Sequence, residues 1–242
     1  LKKYLPNYNN SFELNDHKIE LTFNKSKLSI KGKGKFLIDK NADEINYNIN
    51  FKNGDYNFKS KIQFKNNPLQ IKIFDYKKDE NKNSLLEIDG LFKKNKTIIF
   101  KNILFKESKN KFLINDLSLN KNFKINHINR MDLDFLNENK KKNKISLKKN
   151  KKNYEILGKN LDGSVLLDKM LKSDNKDGVS GIFNNFNSSV KFSIDQTYID
   201  NSSYLNGLNG SLKFLNNNLV NLNLTADFAD NKKLTLTIKT NE

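Results

Sequence analysis

The strongest constraint in this sequence is a two-residue alternation of apolar and polar side chains. In the segment EINYNINFK, Ile45, Tyr47, Ile49 and Phe51 alternate with three asparagines. The segment DYNFKSKIQF repeats the pattern with Tyr56, Phe58, Ile62 and Phe64. Because successive side chains of a β-strand point to opposite faces, each segment predicts a strand with one dry and one wet face.

The same signal continues along most of the chain. Asn53-Gly54 separates the two segments above, and this pair is typical of a tight hairpin turn in which both central residues have positive φ. We predict further strands near residues 69–73, 85–88, 97–100, 112–119, 128–135 and 145–147, and again around Val190–Ile194, Val220–Phe228 and Leu234–Ile238. The fold class predicted is mainly β, a long curved antiparallel meander sheet that forms an open apolar groove.

One stretch breaks this rhythm. In YEILGKNLDGSVLLDKML the spacing of the apolar residues becomes helical, which predicts a short helix near residues 163–172 with Asp162 or Ser164 as its N-cap. So short a helix cannot stand alone in water and must lie against the sheet. The polar, glycine-containing segment that follows is the best candidate boundary. We therefore expect a large β domain over 1–172 that ends in the helix, a linker over 173–180 and a second β segment over 181–242.

The charge of the chain invites an anionic partner. There are 44 Lys and Arg residues against 27 Asp and Glu residues, a formal net charge of +17, but Arg130 is the only arginine. Nucleic-acid readers rely on arginine for bidentate contacts. The accompanying excess of asparagine indicates a genome rich in AT codons as the main source of lysine. We therefore expect no specific nucleic-acid partner.

Candidates for catalysis and metal binding are few. The chain has no cysteine, and His17 and His127 lie in strand-like contexts without metal-ligand spacing. The segment GKGKF, residues 32–36, lacks the third glycine and the following helix of a phosphate-binding loop, so its glycines indicate a bulge or a bend. We predict that the protein is not an enzyme, with no catalytic residue, no metal site and no cofactor.

The remaining functional feature is the dry face of the strands. A long apolar face must be closed by a second sheet, by curling on itself or by a ligand. If a ligand is the answer, the predicted lining is Ile45, Tyr47, Ile49, Phe51, Phe58, Ile62, Phe64, Val190, Phe192, Ile194, Leu222, Leu224, Leu234 and Leu236.

Three segments resemble AsmA-like proteins of the YhdP type. YEILGKNLDGSVLLDKML is similar to the strand, Gly, Asp-x-Ser and short-helix segment that ends the large periplasmic domain of that family. The meander before it resembles the body of that domain, and SVKFSIDQTYIDNSSYLNGLNGSLKFLNNNLVNLNLTADF resembles the AsmA-type repeat that follows. The membrane helix of the family is missing from this sequence.

The resemblance implies a periplasm-spanning β-groove of a Gram-negative bacterium. Such a protein is anchored in the inner membrane and conducts phospholipid towards the outer membrane. We accordingly expect this chain to be a segment of a longer periplasmic protein, to contact phospholipid acyl chains, and to reach both membranes through parts outside this chain. The helix would then shape the groove where one unit meets the next, or merely cover core between two β lobes.

Two other functions remain open. The first is a non-catalytic structural domain of the cell envelope, in which the dry face closes into a packed core. The second is a binder of anionic polymers. Periodicity alone does not distinguish an open face from a closed sandwich.

Overall fold

The structure is a computed structural model that describes residues 2–9, 11–25, 27–164, 183–230 and 232–240. It is almost entirely β, with 71% strand and 2% helix, so the predicted fold class is confirmed. The predicted helix near 163–172 lies outside the described residues from position 165 onward, and so does the predicted linker over 173–180. Both stay predictions.

The strands follow one another closely along the chain. They are β1 (Glu13–Asn24), β2 (Lys27–Ile38), β3 (Asn41–Lys52), β4 (Asp55–Phe64), β5 (Leu69–Ile71), β6 (Tyr76–Lys78), β7 (Ser84–Phe92), β8 (Ile98–Glu107), β9 (Asn110–Leu119), β10 (Ile125–Leu136), β11 (Lys142–Asn150), β12 (Asn153–Asp162), β13 (Ser188–Tyr198), β14 (Tyr204–Leu215), β15 (Asn218–Phe228) and β16 (Lys233–Lys239). A single 3₁₀ turn, Lys72–Phe74, connects β5 to β6.

Fourteen of these strands form one open meander sheet in chain order, and β5 and β6 form a separate two-stranded hairpin. β12 and β13 depart from the antiparallel pattern. They run parallel, with Tyr154 opposite Val190 and Ile156 opposite Phe192. A parallel pair needs a crossover of a dozen residues or more. The residues between Asp162 and Ser188 supply that length, which explains why the strand rhythm stops there.

The chain divides into two compact units, Leu1–Lys121 and Asn122–Glu242, called unit 1 and unit 2 below. Each unit is described by itself.

In unit 1 the register places apolar residues of neighbouring strands side by side. One row near the turn between β3 and β4 contains Leu28, Phe51, Tyr56, Phe92 and Ile98. Rows further along contain Ile30, Ile49 and Phe58, and then Ile45, Ile62, Leu86, Phe105 and Phe112. Since paired residues share a face, these rows form one surface, the unit-1 apolar face.

Turns and bulges maintain this register. Asn53 and Gly54 both have positive φ, 56° and 89°, so the predicted hairpin turn is confirmed. The predicted irregularity at GKGKF lies in the partner strand: the bulge falls between Asn15 and Lys18 of β1. A Cβ on Gly34 would lie 2.6 Å from the Cα of His17, so the glycine gives the bulged strand room.

The core of unit 1 lies at one end of its strands. Phe36, Ile38 and Phe64 are buried there, with Leu5 and Tyr8 packed against them. Next to them, the hairpin of β5 and β6 brings Tyr76 against Phe105 and Phe112, with ring centroids 5.9 and 4.8 Å away. The N-terminal segment and this hairpin therefore cover one strand end of the apolar face, called the covered end below.

A buried carboxylate holds the covered end together. Asp43, 4% exposed, accepts hydrogen bonds from the backbone N–H groups of Lys65, Asn66 and Asn67 at 2.7–3.0 Å. The side-chain amide of Asn67 donates another at 2.9 Å. These bonds fix the loop that leads from β4 into the covering hairpin.

Lys78 of the covering hairpin is fully buried, and its ammonium donates to the carbonyl oxygens of Asn67 and Lys65 at 2.7 and 3.1 Å. Burial lowers the pKa of Lys78, and the nearby Asp43 carboxylate opposes that shift. Burial and the hydrogen bond to Glu107 raise the pKa of Tyr76 well above its usual value. The hairpin is thus attached by polar groups as well as by rings.

Unit 2 repeats the arrangement with different residues. Tyr154, Val190, Leu212, Leu222 and Ile238 form one row across β12 to β16, which belongs to the unit-2 apolar face. At this strand end Phe186 packs on Tyr154 and Phe214, with ring centroids 5.5 and 5.3 Å away.

At the other end of β12, the carboxylate of Asp162 accepts from the Asn137 amide at 2.7 Å and from the backbone N–H of Ser164 at 3.1 Å. The bond to the N–H two residues later is one that an N-cap makes. It fixes the point where the chain leaves β12 for the crossover.

We predict that Asp43→Ala destabilises unit 1 by about 3–5 kcal/mol, because it leaves several buried donors unpaired and removes the charge that compensates Lys78. Urea unfolding followed by circular dichroism measures the change. Asp79→Asn, which removes an exposed carboxylate paired with Lys77 and Lys82, should cost less than about 0.5 kcal/mol. Equal stability of the two variants would contradict a clamping role for Asp43.

Candidate functional site

In the described part of the chain, no group of three or more His, Asp or Glu residues could hold a metal ion. His17 stacks on Tyr47 with ring centroids 5.6 Å apart, and neither ring nitrogen has a hydrogen-bond partner. His127 lies in β10.

The polar face of unit 1 carries a shallow depression of about 340 Å³ between β3, β4, β7 and β8. Its charged groups pair across the strands, since Lys59 lies 3.2 Å from Asp89 and Lys61 lies 3.4 Å from Glu87. The depression is therefore lined by mutually neutralising charges.

The predicted lining residues fall on the apolar faces. The register puts all seven predicted residues of unit 1 on the unit-1 apolar face, and all seven of unit 2 on the unit-2 apolar face. Their exposure divides them. Phe64, Val190, Ile194 and Leu222 are buried, at 3–7% exposure, and belong to packed clusters.

The other predicted residues keep part of their surface accessible. Leu236 is 41% exposed, and the rest are half-buried: Ile45, Tyr47, Ile49, Phe51, Phe58, Ile62, Phe192, Leu224 and Leu234. The inner face of a closed sandwich would be buried along its middle, as domain cores are. Half-buried rows in the middle of β3 and β4 indicate a face that solvent or a ligand reaches.

Glycines of neighbouring strands lie beneath the large rings of these faces. A Cβ on Gly32 would come within 2.2 Å of the Tyr47 ring, and one on Gly90 within 2.5 Å of Phe58. In unit 2, a Cβ on Gly210 would come within 2.6 Å of Phe192. The rings of Tyr47, Phe58 and Phe192 therefore pack over glycines of the neighbouring strands.

Sequence reasoning missed several members of the two faces. Phe100 and Ile103 of β8 both belong to the unit-1 face, opposite Gly90 and Ile88, although their spacing of three breaks the alternation. A register shift between Asp89 and Gly90 allows this. In unit 2, Ile156 and Leu212 join the face, and their alternation in sequence was a usable signal.

Comparison with known proteins adds no assignment. No family model matches this chain, no curated protein matches it, and no solved structure matches it. The resemblance to AsmA-like proteins therefore stays a prediction. In the described residues no helix is long and apolar enough to cross a membrane. The fold and the site define a β-sheet protein with a partly exposed apolar face in each unit.

We predict opposite outcomes for alanine at two of the glycines. At Gly32 the Cβ would meet only the outer part of a flexible tyrosine side chain, so Gly32→Ala should change stability by less than about 1 kcal/mol. At Gly210 it would meet the carbonyl oxygen of Asn223 at 2.3 Å and the Cα of Leu224 at 3.0 Å. Backbone cannot move as freely, so Gly210→Ala should cost about 1–3 kcal/mol.

Thermal unfolding of the two variants beside the parent tests this difference. If Gly210→Ala were as stable as Gly32→Ala, the result would contradict a close approach of β14 and β15 at Gly210.

Proposed function

We propose that this chain is a non-enzymatic segment of an AsmA-like protein that carries phospholipid between the inner and outer membranes of a Gram-negative bacterium. The acyl chains would lie on the apolar faces, which serve as a hydrophobic β-groove. In this proposal the full protein resides in the periplasm, with its inner-membrane anchor outside this chain. No cofactor or metal takes part.

The observation that supports the proposal is the half-exposed apolar surface in the middle of each unit. Burying a CH₂ group is worth about 0.8 kcal/mol, so two long acyl chains need on the order of 20 kcal/mol of replacement contact outside a membrane. A row such as Ile30, Ile49 and Phe58 offers such contact without polar interruption. In this proposal an acyl chain would lie across the rings of Tyr47 and Phe58, which pack over Gly32 and Gly90.

A structural role in the cell envelope is the second candidate. The observation in its favour is the covered end of unit 1, where Phe36, Ile38 and Phe64 are 1–5% exposed and pack like an ordinary core. If similar packing closed the rest of the face, no lipid would enter. The two functions differ in what a charge on the middle of the face does.

The test introduces one carboxylate on either face of the same strand. Ile49→Asp places the carboxylate on the unit-1 apolar face. An acyl chain that passed over it would have to remove water from the charge, at a cost of several kcal/mol. Asn48→Asp places it one position earlier, on the polar face opposite Lys59, where it should be harmless. Because Ile49 is half-buried, the aspartate can stay hydrated and the sheet should survive.

We expect phospholipid in organic extracts of the parent and of Asn48→Asp, purified from a Gram-negative host, and its loss from Ile49→Asp at unchanged circular dichroism. Mass spectrometry identifies the lipid. A parent without lipid, together with an Ile49→Asp variant that unfolds, would mean a packed core and would end the transfer proposal.

A further inference from the structure

Three connections of unit 1 meet at the strand end opposite the covered end. In an antiparallel meander, alternate turns lie at the same end of the strands. The turn between β1 and β2, the turn between β3 and β4 and the loop between β7 and β8 therefore share one end. We call Lys25, Lys27 and residues 52–55 and 93–97 the hairpin rim.

Direct contacts join parts of the rim. The backbone N–H of Lys94 donates to the carboxylate of Asp55 at 3.0 Å, which connects the β7–β8 loop to the β3–β4 turn. A Cβ on Gly54 would lie 3.0 Å from Cδ of Lys94, so the lysine stem lies along that turn. The rim is thus one surface in this region rather than separate loops.

Lysine dominates the rim. It contains Lys25, Lys27, Lys52, Lys93, Lys94 and Lys96, and its one acidic residue is Asp55. None of these six ammonium groups forms an ion pair within the described part of the chain. On the polar face, by contrast, Lys59 and Lys61 of β4 lie 3.2 and 3.4 Å from carboxylate oxygens of Asp89 and Glu87.

At the covered end the turns mix both signs. Asp39 precedes Lys40, Glu107 lies two positions before Lys109, and Asp79 pairs with Lys82. Codon bias explains how many lysines the chain has, but it does not explain why acids are nearly missing from one strand end.

Apolar side chains emerge beside these lysines. Phe23 is 75% exposed and Leu21 68%, both on edge strand β1, and Tyr56 and Phe92 are 40% and 36% exposed. The rings of Phe51 and Tyr56 are 4.8 Å apart, which makes the row continuous with the unit-1 apolar face. Exposed apolar residues of this size beside unpaired lysines are typical of a surface that enters the interface of a membrane.

We propose that the hairpin rim of unit 1 docks on the surface of a bilayer that contains anionic phospholipids. The lysines lie against the phosphates, and Phe23 and Leu21 enter the boundary between head groups and acyl chains. A nucleic acid fits the rim less well, since aliphatic Leu21 gains nothing from a phosphate backbone or from base stacking. In this proposal residues of this chain contact the membrane directly. The proposal does not depend on whether the apolar face carries lipid.

The test is co-flotation of the full chain with phosphatidylcholine vesicles, with and without phosphatidylglycerol, at low and physiological salt. Binding should require phosphatidylglycerol and weaken with salt. Each lysine near an anionic surface contributes about fivefold in affinity, so Lys52→Gln/Lys94→Gln/Lys96→Gln should lower affinity on the order of a hundredfold.

The matched control is Lys40→Gln/Lys65→Gln/Lys109→Gln, which removes the same charge from connections at the covered end and should bind nearly as the parent does. Phe23→Ser should weaken binding, whereas Leu157→Ser, at an exposed leucine on the polar side of β12, should not. Thermal unfolding establishes that each variant is folded.

Three results would overturn the proposal. They are failure to bind phosphatidylglycerol vesicles at low salt, equal loss of binding in the two lysine variants, and no effect of Phe23→Ser combined with equally tight, rim-dependent binding to single-stranded DNA. The last would identify the rim as a general polyanion surface.

Discussion

Cross-strand pairing of apolar side chains is the constraint on which the rest of this protein depends. Each row, such as Ile45, Ile62 and Leu86, lies on one face only because the register is held to the residue. A slip of one position would turn Ile45 towards the polar face and bring Asn46 inward. The Asn53-Gly54 turn fixes the register of β3 with β4, and the bulge in β1 belongs to its pairing with β2. The ladder therefore sets the face before any ligand or partner matters.

The two strand ends of unit 1 differ, because one end of the apolar face is covered and the other is not. A bare sheet face is unstable in water when every row is exposed, and the N-terminal segment and the β5–β6 hairpin relieve that at the covered end. Asp43 contributes to this because it accepts hydrogen bonds from three backbone N–H groups of the loop, and the N–H of buried Asn67 would otherwise lack a partner. At the opposite end the same apolar surface reaches the hairpin rim, where Phe23 and Tyr56 are exposed. The covered end thus contributes packed, stabilising contacts, and the opposite end of the same strands keeps apolar side chains accessible.

Charge follows a similar division. Lysines on the polar face of β4 have carboxylate partners on β7, so they keep this face hydrated and each ion pair adds little to the stability of the fold. Lysines at the rim have no such partners among the described residues, so their field extends into solvent and is available to an anionic surface. A high net charge by itself says little about function. Its distribution over one strand end carries the information, and that distribution emerges only when the turns are brought together.

The sequence by itself determined the strand content, the division of each strand into a wet and a dry face, the Asn53-Gly54 turn and the face on which each predicted lining residue lies, because two-residue periodicity and turn chemistry are local properties. That these residues line a lipid groove stays a prediction. The sequence did not reveal the parallel pairing of β12 with β13, the three-residue spacing of Phe100 and Ile103, or the burial of Asp43 and Lys78. Those depend on which segments meet in space. A buried aspartate and a solvated one have the same sequence pattern, and only tertiary contacts decide which side chains lose water and which lysines find a carboxylate.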